Sequence, residues 1–174
     1  MTGYAHMRLE KVAPEELPRF IRKLQEAFSL AVREKFGGND VVPADDDIRK
    51  TVGKAGTETC HIVLDEQRVG GAVLAIDEKT RCNVLELFFI SPEHHSRGIG
   101  HAAWLAIEAA YPDTRVWRTI TPYFEERNIH FYVNKCGFRI VEFFNPHHID
   151  PDLPHDDTHQ PGTEKYFLFE KIME

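Results

Sequence analysis

The chain has 174 residues, with 21 Lys and Arg against 28 Asp and Glu for a formal net charge of −7, and 42% of its residues are hydrophobic. That length suits one domain with a core of its own, since single cores typically serve about 100 to 200 residues. The acidic balance argues against nucleic acid as a general partner, no stretch approaches the roughly 18 apolar residues of a membrane span, and the scattered Cys60, Cys82 and Cys136 lack metal-ligand spacing. The first ten residues lack the apolar core of a secretory signal, so the expected compartment is a reducing cytoplasm.

Residues 6–12 read as a first strand. Leu17, Phe20, Ile21, Leu24, Ala27, Phe28, Ala31 and Val32 then keep the three-and-four spacing of a helix with one buried face, up to Gly37 and Gly38. Asp45, Asp46 and Asp47 ahead of residues 48–52 predict a short second helix, because carboxylates favour a helix N-terminus, and Gly53 or Gly56 ends it. Strands follow at 59–64, 68–76 and 82–90, separated by connections of hairpin length. The pattern continues with a helix at 98–110, a strand at 115–121, a helix at 128–135 capped by Gly137, and strands at 138–144 and 165–172. Hairpins followed by alternating strands and helices predict an α/β (α+β) domain over residues 1–174: a mixed, mostly antiparallel sheet with helices on both faces.

The connection at 145–163 exceeds the length usual in compact domains, and it holds His147, His148, His155 and His159 with Asp150, Asp152, Asp156 and Asp157. Its charge favours a nearby cation, and a plain solvated loop explains the composition equally well. His147 and His148 are adjacent and four prolines shape the segment, so no metal site is expected there.

Gly98 and Gly100 enter a helix directly after an apolar strand and a proline-bearing elbow. Bare backbone N–H groups at a helix N-terminus, aided by the helix dipole, suit a phosphate. Gly98, Gly100 and Ala103 also fit the dinucleotide pattern G-x-G-x-x-G/A. Against a Rossmann reading, seven residues separate strand from glycine, the motif lies mid-chain, and the strand about 20 residues on carries no acid for a ribose.

Residues 85–138 resemble the core of the GNAT acyltransferases, whose pyrophosphate loop has the form Q/R-x-x-G-x-G/A. Here the loop falls on His95, Ser96, Arg97, Gly98, Ile99 and Gly100, with His95 where the family prefers Gln or Arg. Asn128, Tyr132, Gly137 and Phe138 are similar to a second family segment, with Tyr132 one residue further from Gly137 than usual. The resemblance implies acetyl-CoA as co-substrate and direct acetyl transfer to an amine, whether small molecule, polyamine, peptide or protein lysine. It also leaves a homodimer through terminal strands or helices open.

Each step of that reaction needs a group. An amine with a pKa of about 10.4 must lose a proton, and Glu86, interrupting an apolar strand, is either the base or half of a structural ion pair with Arg81 or Arg118. Backbone N–H groups near Phe89 and Ile90, where the family strand is bulged, would polarise the thioester carbonyl. The resemblance makes Tyr132 the proton donor to the departing thiolate and Asn128 an orienting group, the other reading of Tyr132 being a packed aromatic. Arg97 is a phosphate contact or a solvated arginine. The alternative to an N-acetyltransferase is a non-catalytic acyl-CoA-binding module that keeps the cradle without the chemistry.

Overall fold

Period-two alternation builds both cores. On the strand β3 (Gln67–Ala75), Ala72 and Leu74 enter one core and Val73 the other, because successive side chains leave a strand on opposite faces. A computed structural model describes residues 6–95, 97–152 and 165–174 of the chain. The remaining strands are β1 (Met7–Lys11), β2 (Thr57–Leu64), β4 (Cys82–Ile90), β5 (Val116–Pro122), β6 (Arg139–Phe144) and β7 (Tyr166–Ile172). Among the described residues they form one seven-stranded sheet of order β1-β2-β3-β4-β5-β7-β6. Neighbours are antiparallel except β4 and β5, which run parallel.

Helices cover both faces, as the element order predicts. On one side α1 (Leu17–Phe36) and α2 (Asp45–Val52) bury Phe20, Ile21, Leu24 and Ile48 against Val73 and Phe89. On the other, α3 (Ile99–Ala110) and α4 (Glu126–His130) close a larger core in which Trp104 meets Trp117 edge-on, ring centroids 5.3 Å apart. No helix among the described residues is long and apolar enough to cross a membrane.

Three differences from the sequence reading have physical causes. β2 begins at Thr57, because Thr57 and Glu58 find partners in Ala75 and Leu74. α4 begins at Glu126 and changes at Phe131 into a π turn (Phe131–Lys135), in which the Cys136 N–H donates to the Phe131 carbonyl at 3.0 Å. That wider turn accommodates one extra residue, which accounts for the displaced Tyr132, and Gly137 follows at φ +84°. Finally, the β4 bulge is not at Phe89 and Ile90. Val73 pairs with Leu87 and Leu74 with Leu85, so Glu86 is the additional residue. Leu85 and Leu87, two apart, therefore lie in different cores.

Of the long connection, the described part turns back on β6. Asn145 and His148 exchange backbone hydrogen bonds at 3.0 Å, and the His148 ring stacks on Phe144 while its Nε2 donates to Glu142 at 2.6 Å. His155, His159, Asp156 and Asp157 lie outside the described residues. Among those described, no group of three His, Cys, Asp or Glu side chains could hold a metal ion.

Candidate functional site

The site begins where the sheet parts. β4 and β5 pair only over residues 82–84 and 116–118, and the Thr119 hydroxyl donates to the Leu85 carbonyl at 2.9 Å just beyond. Past that tie β4 continues with β3, as far as Ile90 opposite Gly70, and β5 continues with β7, as far as Pro122 opposite Tyr166. A cleft of about 810 Å³ lies beside this opening, walled by α1, the end of β4, the start of α3 and α4.

Backbone polarity at the end of β4 follows from strand alternation. The Ser91 N–H donates to the Val69 carbonyl at 2.9 Å, so the same side of Phe89 is turned to Gly71, and the N–H groups of Phe88 and Ile90 face away from β3. The Ile90 carbonyl shares that orientation and accepts from His95 Nε2 at 2.6 Å. His95 thus ties the elbow to the strand end, a job suited to a side-chain N–H donor. Phe88, Phe89, Ile90 and His95 all line the cleft.

Gly98 caps α3 with φ +74° and ψ 6°, a left-handed conformation that side chains rarely adopt. The first helical bond runs from the Ala102 N–H to the Gly98 carbonyl, so the N–H groups of Ile99, Gly100 and His101 have no partner within the helix. No acidic residue occupies that first turn. A Cβ on Gly100 would stand 3.3 Å from the Phe131 ring, which stacks on Phe88 at 5.8 Å between centroids. Ile99 itself is buried in the core beneath, leaving its backbone to the cleft. Arg97 is exposed, and Ser96 lies outside the described residues.

Asn128, half-buried on α4, lines the cleft as expected. Tyr132 and Glu86 are not among the lining residues. Tyr132 is buried against Phe131, Phe138 and Phe169, and its hydroxyl contacts Thr119 at the apex of the opening. Burial raises its pKa above the ordinary phenol value. Glu86 is half-buried at the bulge. Neither expected ion pair forms among the described residues, and Arg118 instead holds Glu170 at 2.9 Å.

Glu125, absent from the sequence reading, is one of three carboxylates the fold brings to the cleft, with Glu34 and Glu126. It is the N-cap of α4 yet makes no side-chain cap hydrogen bond, and it lines the cleft with Glu34 of α1. Phe36 and Phe124 meet edge-on at 4.9 Å and hold the two segments together. Burial, reinforced by Glu34 and opposed by Arg127, keeps the Glu125 carboxyl above its ordinary pKa. The only local signal was a carboxylate directly after the aromatic pair Tyr123 and Phe124. None of the three cysteines, all free, lines the cleft, and burial pushes the Cys136 thiol up to about 12.

The chain matches the Acetyltransferase (GNAT) family over residues 23–138. Uncharacterized protein YrkN of Bacillus subtilis (strain 168) is 50% identical over 171 residues, which cover 95% of this chain and 92% of that protein. Among solved structures, a Bacillus subtilis acetyltransferase in complex with CoA superposes with a TM-score of 0.67 at 16% identity, covering 97% of this chain and 99% of that one. The spermidine N-acetyltransferase of Vibrio cholerae, in complex with CoA and spermine, gives 0.67 at 10% identity over 97% and 96%. At those identities the two structures speak for the fold alone. The glycine-led turn, the parted strands and the match across residues 23–138 make the chain a member of the GNAT acetyltransferase family.

Proposed function

We propose that the protein is an N-acetyltransferase that moves the acetyl group of acetyl-CoA directly to a cationic amine. The observation that carries this reading is one cleft receiving both the N–H groups at the start of α3 that have no partner within the helix and the outward N–H groups of β4. The residues fit the cofactor. Gly98 supplies the left-handed turn, the first turn of α3 is free of acid, and the hydrogen at Gly100 keeps its Cα face open beside Phe131. Ile99, Gly100 and His101 would hold the pyrophosphate through their backbones, Arg97 would add charge, and Asn128 would orient the pantetheine arm. Bound there, acetyl-CoA supplies an activated acyl carbon and a thiol leaving group. The N–H groups of Phe88 and Ile90 would polarise the carbonyl, as donors preorganised in a sheltered site do. Lys35, Arg127 and Lys135 balance Glu34, Glu125 and Glu126 along the cleft, but Glu34 and Glu125 repel each other locally, and a cationic amine beside them would relieve that repulsion; the spermidine acetyltransferase shares the fold.

The first test is thermal unfolding with acetyl-CoA, with NADP and in buffer. Acetyl-CoA at 100 times its dissociation constant should stabilise by about 2.7 kcal/mol, and Gly98→Val should weaken its binding at least tenfold. A shift with NADP alone would overturn the reading in favour of a dinucleotide enzyme. Binding of acetyl-CoA without amine-dependent thiol release over a broad panel would leave a cradle without chemistry.

Tyr132 does not itself line the cleft, so it is proposed as the proton donor to the departing sulfur by way of a water at the opening, since burial keeps its hydroxyl protonated beside the apex at Thr119. Tyr132→Phe should lower kcat about 100-fold with acetyl-CoA affinity unchanged. Turnover at the parental rate would assign that proton to water alone.

A further inference from the structure

Resting on the acetyl-transfer reading, we propose that Glu125 is the proton acceptor for the amine, in place of Glu86, whose sequence setting suits a base and a structural ion pair equally. Position separates the two carboxylates. Glu86 sits at the β4 bulge and does not line the cleft, whereas Glu125 shares the cleft with the β4 N–H groups and the α3 turn. Its carboxylate is left unused by the helix it caps. The segment that carries it is fixed: the Glu125 N–H donates to the Pro122 carbonyl at 3.1 Å, the Ile129 N–H donates to the Glu125 carbonyl at 2.9 Å, and Phe124 is clasped by Phe36. A base must hold its place to act, and this one stands on an anchored turn.

The environment also sets its basicity. Glu34 and Lys35 face the cleft from α1, Glu126, Arg127 and His130 from α4, Lys135 from the π turn, His94 and His95 from the elbow after β4, and His101 from α3. Burial and Glu34 outweigh Arg127 and raise the carboxyl above its ordinary value, making it a better proton acceptor than an exposed glutamate. The transfer balances as follows. An ammonium gives one proton to the Glu125 carboxylate, and the freed nitrogen pair forms the N–C bond to the acetyl carbon as the C–S bond breaks. The sulfur leaves with the C–S bonding pair and takes its proton from Tyr132 by way of the water, the phenolate is reprotonated by the second nitrogen-borne proton, and Glu125 returns its proton to solvent.

The test compares Glu125→Gln, Glu125→Asp and Glu86→Gln with the parental protein. Acetyl-CoA affinity is measured by calorimetry, thiol release with phenethylamine, spermidine and lysine methyl ester from pH 5.5 to 9.5, and the glutamate carboxyl titrations of the free protein by carbon NMR. The expected result is an unchanged acetyl-CoA dissociation constant in Glu125→Gln and kcat lowered about 100-fold. The acidic limb of the rate profile should vanish, and Glu125→Asp should recover part of the rate. The Glu125 carboxyl resonance should titrate above those of the exposed glutamates. Parental turnover in Glu125→Gln, or loss confined to Glu86→Gln, overturns the proposal and leaves the acetyl-transfer reading standing. Absence of amine-dependent release from the parental protein across all three amines overturns both.

Discussion

Gly70→Ala should be the most damaging single methyl group that can be added to the sheet. A Cβ there would lie 2.2 Å from the Phe89 carbonyl oxygen and 3.1 Å from both Cα and Cδ1 of Ile90. The obstacle is main chain, which no rotamer change relieves, so the end of β4 must move away from β3. Overpacking of this kind costs about 3 kcal/mol, at the upper end of its usual range, which for a chain this size lowers Tm by roughly 6 to 12 °C. Because Ile90 presents its N–H to the cleft and its carbonyl to His95, acetyl-CoA affinity should fall in the same variant. Gly100→Ala is the control. Its Cβ would meet side chains alone, the Phe131 ring at 3.3 Å and Ile90 Cγ1 at 3.7 Å, so stability should change by less than about 1 kcal/mol. Urea titration reads the first effect as a lower midpoint at constant slope. A Gly70→Ala protein of parental midpoint would show that β4 yields at no cost and would remove the close strand approach as the reason for the glycine.

Legibility in the sequence follows the range of the interactions that set each feature. β4 is found with its bounds intact, Cys82–Ile90, because an apolar run bounded by turn residues is a local signal. The α3 turn is equally local, since Gly98 needs a positive φ whatever lies around it. The displacement of Tyr132 is visible as a spacing. Its cause is not, because an extra residue can be taken up by a loop, a bulge or a π turn, and packing of Tyr132 among Phe131, Phe138 and Phe169 selects the last. The bulge at Glu86 depends on the register of β3, a partner that no pattern within β4 reports. Glu125 is the extreme case. In the sequence it is one of two adjacent glutamates before a short helix, and only the contact between Phe36 and Phe124, 88 positions apart in the numbering, sets it in a cleft facing Glu34. His95 departs from a family preference for Gln or Arg. Its bond to the Ile90 carbonyl shows the position asking for an N–H donor, which histidine provides.

Glu108→Ala should be the largest loss among the charged side chains. Glu108 stands four residues after Trp104 on α3, and its Oε1 accepts from the Trp104 indole N–H at 2.7 Å and from Lys171 Nζ of β7. The pair is only 17% and 22% exposed, and the indole is fully buried. Removing the carboxylate strands two donors, one of them charged, in a place that water reaches poorly. Allowing for that residual access, the loss is about 3 kcal/mol, the lower end for breaking a buried pair. Glu108→Gln keeps an acceptor for Trp104 and forfeits only the charge, so it should cost about 1 kcal/mol. Adding Lys171→Met to Glu108→Ala should then restore part of the loss, since a stranded ammonium is more harmful than a missing pair and the methionine stem can cover Trp104, whose ring lies 6.0 Å from Lys171 Nζ. Thermal and urea unfolding of the parental protein, Glu108→Ala, Lys171→Met and the double variant closes the cycle. If the double variant is as unstable as the sum of its single changes, Lys171 and Glu108 act independently, and the anchoring of α3 to β7 rests on the packing of Trp104 against Trp117 and Phe138 instead.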